Sequence, residues 1–227
     1  MKWHLVPRNV VEAAKPPRPT PKEMKALTVH EARRLVEAAC EDRFEALYVL
    51  ALYTGMRQGE LLALRWQDVD LENAIVSVRR TLTRSGGKVT FGEPKTRKSR
   101  RSIRLTPQAA EALRAPLGRQ LRDMEILGDR YRDQGLVFTT DTGAPINPSN
   151  LRQRGFAPLL KRAGLPRMRF HDLRHTCATL LLSRGVHPKI VQELLGHATI
   201  AITLDTYSHV MPSMGDATAR AMADVLA

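Results

Sequence analysis

Apolar residues recur at the helical period through most of the chain. Thr28, with Glu31 three residues later, forms a capping-box pattern, and Val29, Ala32, Leu35, Val36 and Ala39 follow the 3.6-residue period behind it. A second helix is predicted over residues 43–54, closed by Gly55, a residue suited to the left-handed turn that ends helices. After Trp66 the period changes. Residues 75–83 alternate and are rich in β-branched side chains, Gly86 and Gly87 make a turn, and residues 88–90 and 102–105 supply further extended segments. One small antiparallel sheet is the expectation. The helical period returns over 107–127 and then, after a strand-like stretch at 135–140, in four or five further helices punctuated by Gly, His-Pro and Pro. The predicted fold class is mainly α with a small antiparallel β-sheet (α+β). Met214, Ala217, Ala221, Met222 and Val225 are spaced at three or four, which predicts an amphipathic tail helix over 213–226.

Composition changes this picture at the amino-terminal end. Prolines 16, 17, 19 and 21 forbid helix and favour an extended linker, so a domain boundary is expected near residue 26, with 27–227 as the main domain. The 227-residue length suffices for a real core. A formal net charge of +13 points to a polyanionic partner, nucleic acid first. Cys40 and Cys177 sit within helical apolar patterns and show neither metal-knuckle nor disulfide spacing, so both read as small core residues. No signal-peptide pattern or membrane-length apolar run is visible, and the expected location is the cytoplasm, in association with the nucleoid.

Four short segments are more basic or hydroxylic than a helical core requires. Arg57 and Glu60 follow Gly55 at a junction between helices, and Arg174 lies three residues after His171 on one helical face. Two guanidiniums from distant parts of the chain suit a phosphodiester, because their planar forks hold non-bridging oxygens and stay charged. Lys95, Arg97, Lys98, Arg100 and Arg101 belong to a run, 94–104, with six basic side chains and no acid, read either as a solvated loop or as a phosphate-contacting ribbon. Alternation into Ile103 and Leu105 suggests a hairpin whose tip reaches outward. His197 and Tyr207 flank a short predicted helix. The pair His171 and His175 with Asp172 between them approximates a zinc-protease helix, but Asp is one methylene short of the usual base and no third ligand follows at suitable spacing. No metal is expected, and His175 reads as a structural, hydrogen-bonded core histidine.

The order Arg, Lys, His-x-x-Arg, His, Tyr, in the settings TGMRQGELLAL, HDLRHTCATLLL, LLGH and TYSH, resembles the catalytic signature of the tyrosine recombinases, the phage integrase family, from about Leu27 to Met211. The resemblance implies the catalytic-domain fold of that family and a metal-, cofactor- and ATP-independent reaction that cuts and rejoins DNA strands through a 3′-phosphotyrosine. It implies Tyr207 as nucleophile, Arg57 and Arg174 as the phosphate clamp and Lys95 as the acid for the departing 5′ oxygen. It implies that His171 assists proton transfer at the tyrosine, that His197 donates to a non-bridging oxygen and that Glu60 supports the site. Arg97, Lys98, Arg100 and Arg101 are then expected on DNA, and residues 1–26 resemble the end of a core-binding domain with its linker. Implied partners are double-stranded DNA and further protomers, in a tetrameric synapse for the full-length protein, with no membrane. Type IB topoisomerases use a similar site, and a non-catalytic DNA-binding regulator keeps such a fold. The integrase-like length, LLGH and the filled catalytic positions favour the recombinase.

Overall fold

The computed structural model describes residues 24–40, 42–93, 99–210 and 222–226. Expectations that fall on the proline linker, on Lys95, Arg97 and Lys98, and on most of the tail helix lie outside these residues.

Helix α1 (Val29–Ala39) begins where Thr28 and Glu31 cap each other reciprocally, and α2 (Glu45–Thr54) ends at Gly55 in the left-handed conformation, φ 61°. α2 is buried on nearly every side. Its Ala46 to Leu52 run packs between α1, α4 (Pro107–Ala112) and α8 (Asp172–Ser183), which makes it the axle of the core. The short α3 (Gln58–Leu62) follows directly, with Arg57 as its N-cap. Leu61 and Leu62 are fully buried and anchor it to that core.

The extended segments form two sheets where one was expected. Strands β1 (Val69–Asp70), β2 (Ile75–Val78) and β5 (Arg101–Arg104) make an antiparallel sheet in the order β1-β2-β5. Strands β3 (Thr81–Ser85) and β4 (Lys88–Gly92) form a separate hairpin around Gly86 and Gly87. The chain breaks at Arg79 and Arg80 because Arg80 turns in to pair with the buried carboxylate of Asp68, 2.7 Å away. Strands β4 and β5 do not pair with each other: β5 lines up against β2, with Ile103 opposite Val76, and the tip of the hairpin expected around 94–104 lies outside the described residues.

The stretch 135–140 is not a strand of either sheet. It makes only single bridges, Arg65 to Leu136 and Thr139 to Pro145. The backbone N–H of Trp66 donates to the Gly135 carbonyl and that of Val137 to the Leu64 carbonyl, while the buried side-chain amide of Gln120 donates to the carbonyls of Leu136 and Val137. Gln120 comes from α5 (Arg114–Leu127), which the structure separates from α4 at Leu113. Cys40 is a second correction: at the C-cap of α1 it is exposed, whereas Cys177 is buried.

The remaining helices are α6 (Pro148–Asn150), α7 (Ala157–Arg162), α9 (Pro188–Leu195) and α10 (Ile200–Tyr207), with a π-helical turn, Leu151–Phe156, leading into α7. Ala178, Leu182, Val191, Leu195 and Tyr207 form a small apolar cluster of their own, joining α8, α9 and α10 beside the main core. No described helix is long and apolar enough to cross a membrane.

Gly59 on α3 sits so close to the hairpin that a Cβ there falls 2.6 Å from Thr81 Oγ1 and 2.7 Å from the Leu82 carbonyl. Backbone cannot yield cheaply, so Gly59→Ala is expected to destabilise the fold by about 1–3 kcal/mol, read as a lower urea midpoint at unchanged slope.

Candidate active site

The site assembles where helix ends meet. Gly55 closes α2 and releases the chain into Arg57; its own carbonyl accepts a 2.7 Å hydrogen bond from Arg174 Nη1, on the first turn of α8. Arg174 is buried, 3% exposed, and its Nη2 has no hydrogen-bond partner. A buried, half-satisfied guanidinium is costly unless an anion completes it. Burial, then the charges of Arg57 and Arg101, push its pKa down to about 9, which leaves it cationic at neutral pH.

Glu60 organises the cations. It is 2% exposed and accepts from Arg57 Nη1 at 2.7 Å, from the Arg57 backbone N–H at 2.9 Å and from Arg101 Nη2 at 3.0 Å. Burial alone raises a carboxyl pKa, but the charge and hydrogen bond of Arg101, with those of Arg57, outweigh it and hold Glu60 below the usual carboxylate range. The Arg57 side chain keeps 38% of its surface exposed, so it can still meet a ligand.

Arg101 corrects the expectation of an outward DNA contact. Its side chain is 7% exposed, and the fork is used internally: Nε donates to the Leu194 carbonyl at 2.5 Å, Nη1 to the Ser99 carbonyl at 3.1 Å and Nη2 to Glu60. It ties strand β5 to the Arg57 carboxylate partner and to the end of α9. Arg100, by contrast, points out and pairs with the exposed Glu93.

From the end of α9 the chain turns at Gly196, φ 67°, into His197. Gln192 donates from Nε2 to the His197 carbonyl at 2.6 Å, and His197 Nδ1 lies 2.9 Å from Thr203 Oγ1 of α10. Desolvation and the cations Arg174, Arg57 and Arg101 push the His197 pKa down to about 4; His171 falls to about 4 through desolvation, then His175, Arg174 and Arg57. Both imidazoles are neutral at physiological pH, able to donate to an anion from one N–H each. That Arg57 and Arg174 lower the pKa of both His171 and His197 shows how tightly three distant stretches converge.

Tyr207, at the last turn of α10, is 2% exposed. Burial raises its pKa to about 12, opposed by Arg174. The histidine on its hydroxyl is His175, whose Nδ1 is 2.7 Å from Tyr207 Oη. His171 instead stacks edge-on against His175, with ring centroids 5.0 Å apart. Sequence reading gave His175 no part in the site, although its place one turn after His171 and next to Arg174 puts all three on one face of α8.

A basic cleft of about 1000 Å³ opens beside His171, lined among others by Lys25, Arg152, Lys161, Arg167 and Arg169. Among the described residues no group of three His, Cys, Asp or Glu side chains could hold a metal ion.

Residues 25–214 match the model of the phage integrase family. A XerC-like tyrosine recombinase of Caldanaerobacter subterraneus subsp. tengcongensis is 38% identical over 202 residues, covering 84% of this chain and 51% of that protein. The ICEBs1 integrase of Bacillus subtilis is 28% identical over 225 residues, covering 98% of this chain and 60% of its own length. Among solved structures, the XerA recombinase superposes with a TM-score of 0.65 at 31% identity, over 89% of this chain and 65% of that one. The Tn1549 transposon integrase in complex with circular intermediate DNA superposes with a TM-score of 0.72 at 25% identity, over 91% and 68%. The chain spans about half the length of the first two curated relatives it matches. With its helical fold, its two small sheets and a family match that runs from residue 25 to residue 214, the chain belongs to the phage integrase family, the tyrosine recombinases.

Proposed function

We propose that this chain is the catalytic part of a site-specific DNA recombinase or integrase that cuts and rejoins strands through a 3′-phosphotyrosine on Tyr207. The observation that carries the reading is the half-satisfied Arg174 guanidinium, buried among Arg57, His197 and the tyrosine hydroxyl. A scissile phosphate supplies the missing acceptor. Its non-bridging oxygens take the Arg174 and Arg57 donors and the His197 N–H, a preorganised set that stabilises the charge building up in the transition state. Tyr207 Oη attacks phosphorus as its proton passes to a histidine of the HDLRH segment, the bond to the 5′ oxygen breaks, and Lys95 protonates that oxygen. Religation reverses these steps from an ester of similar energy, so neither ATP nor a metal enters the balance. Glu60 supports the site by holding Arg57.

Double-stranded DNA is the partner this reading requires. The basic cleft beside His171, the net charge of +13 and the DNA-bound Tn1549 relative support it. Arg97, Lys98 and Arg100 are assigned to phosphate contacts on the same duplex. Residues 1–26 are assigned to the end of a core-binding domain and its linker, with 27–227 as the catalytic domain. Full strand exchange is assigned to a tetramer on DNA in which the tail of one protomer docks on the next. Residues 222–226 are helical and leave Met222, Val225 and Leu226 exposed, and a groove of about 420 Å³ between α1, α2 and α8 offers Val29, Val36, Leu52 and Leu181 to receive them.

Three measurements test this. Tyr207→Phe is expected to abolish the covalent adduct on a nicked suicide substrate while DNA affinity changes less than about threefold; an adduct of normal yield on a denaturing gel removes Tyr207 from the chemistry. Lys95→Ala is expected to slow cleavage by about 100-fold or more and to recover when the bridging 5′ oxygen is sulfur, a leaving group that needs no proton, whereas Arg174→Ala does not recover; equal responses refute the acid assignment. Deleting residues 213–227 is expected to lower the number of protomers sedimenting with a two-site DNA. A complex of unchanged size argues against the exchanged tail.

A further inference from the structure

The Tyr207 hydroxyl is buried, and the group it meets is an imidazole on the helix that also carries Arg174. His175 Nδ1 lies 2.7 Å from Tyr207 Oη, a distance proper to a strong hydrogen bond. The rings are tilted by 52° with centroids 5.8 Å apart, and Tyr207 is clasped by Ala178, Leu182, Val191 and Leu195. Neither partner is free to choose another orientation cheaply.

We propose that His175 is a further catalytic residue, one that receives the Tyr207 proton during cleavage and returns it during religation. The proposal rests on Tyr207 being the nucleophile. His175 takes the Nε2–H tautomer, so the tyrosine O–H donates to the Nδ1 lone pair. As Oη bonds to phosphorus, the O–H bond breaks and Nδ1–H forms; the bond from phosphorus to the 5′ oxygen breaks, and that oxygen takes its proton from the acid assigned to Lys95. In religation the 5′ hydroxyl attacks, the Oη–phosphorus bond breaks, and Nδ1–H protonates the departing phenolate.

The surroundings fit a transient imidazolium. Desolvation lowers the His175 pKa, as do Arg169 and Arg174, so the resting ring is a neutral acceptor, while the charge of Asp172 acts in the opposite direction and favours the protonated form. Asp172 is itself buried and held by Arg169 through a 2.7 Å ion pair. His171, the residue the motif nominates, stands one ring further away, against the edge of His175. Its role becomes support of His175 rather than contact with the phenol.

Single-turnover adduct formation on the nicked suicide substrate tests the assignment with His175→Ala, His175→Asn and Tyr207→Phe side by side. An Asn amide oxygen sits near the Nδ1 position and accepts a hydrogen bond, but it carries no proton. Both His175 variants are therefore expected to form adduct about 100-fold more slowly or worse, with DNA affinity within about threefold of the parent. His175→Asn at a matched Tm makes the comparison if the alanine variant packs poorly. An adduct rate for His175→Asn within about threefold of the parent overturns the proposal, since a hydrogen bond alone then suffices. Adduct formation by Tyr207→Phe strikes the reading of Tyr207 instead, so the two failures are told apart. Independently, nitrogen-15 spectra of the DNA-free protein are expected to show His175 Nδ1 as a hydrogen-bonded acceptor whose resonance shifts in Tyr207→Phe. An unshifted resonance also overturns it.

Discussion

One buried carboxylate holds the site together. Placing Arg101 and Arg174 inside a protein, with Arg57 beside them, concentrates like charge where water is scarce, and each cation depresses the pKa of Arg174. Unpaired, such charges cost several kcal/mol apiece. Glu60 offsets that cost by accepting from Arg57 and Arg101 at once, and it occupies α3, a five-residue helix with little stability of its own. The burial of Leu61 and Leu62 keeps the helix in place, and the helix keeps the carboxylate in place. From there Arg101 reaches to the Leu194 carbonyl, so the position of α9, and through Gly196 that of His197, is tied to the same anion.

The second constraint is the division of the apolar interior. The main cluster runs from Leu27 to Leu173 and takes in the buried side chains of α2, both sheets and α7. Tyr207 belongs to the smaller cluster, which binds α10 to α8 and α9. Arg57 thus sits against the large cluster, and Tyr207, the nucleophile in the proposed reaction, belongs to a smaller unit packed beside it. Helix α8 serves both parts, because Leu173 faces the main core while Ala178 and Leu182 face the small one.

Electrostatics explains why the same residues suit a phosphodiester. His171 and His197 are kept neutral by desolvation and by neighbouring cations, so they bring donors without adding to the repulsion. In the proposed reaction a dianionic transition state would meet guanidinium forks and imidazole N–H groups held in place beforehand, with little reorganisation left to be done. The buried Arg174 Nη2, which has no hydrogen-bond partner, is the donor that the proposed phosphate would satisfy.

Whatever depends on neighbours in the chain was legible without the fold. The capping of α1 by Thr28 and Glu31 and the closure of α2 at left-handed Gly55 follow from local hydrogen bonding and backbone freedom, and both appear in the structure as read. So does the mainly helical class with its small antiparallel content, because hydrophobic periods report which face is buried. The family followed from short motifs whose residue types and order carry the chemistry. Tertiary structure decided what pairs across long separations. The one expected sheet divides into two where Arg80 turns in to Asp68, and Gln120 reaches across from α5 to the carbonyls of residues 136 and 137. Glu60 turns Arg101 inward from a run of bases that reads as surface. The packing of α10 on α8 gives the Tyr207 hydroxyl to His175 rather than His171, a difference of one helical turn that spacing along the chain cannot resolve, since both rings lie on the same face.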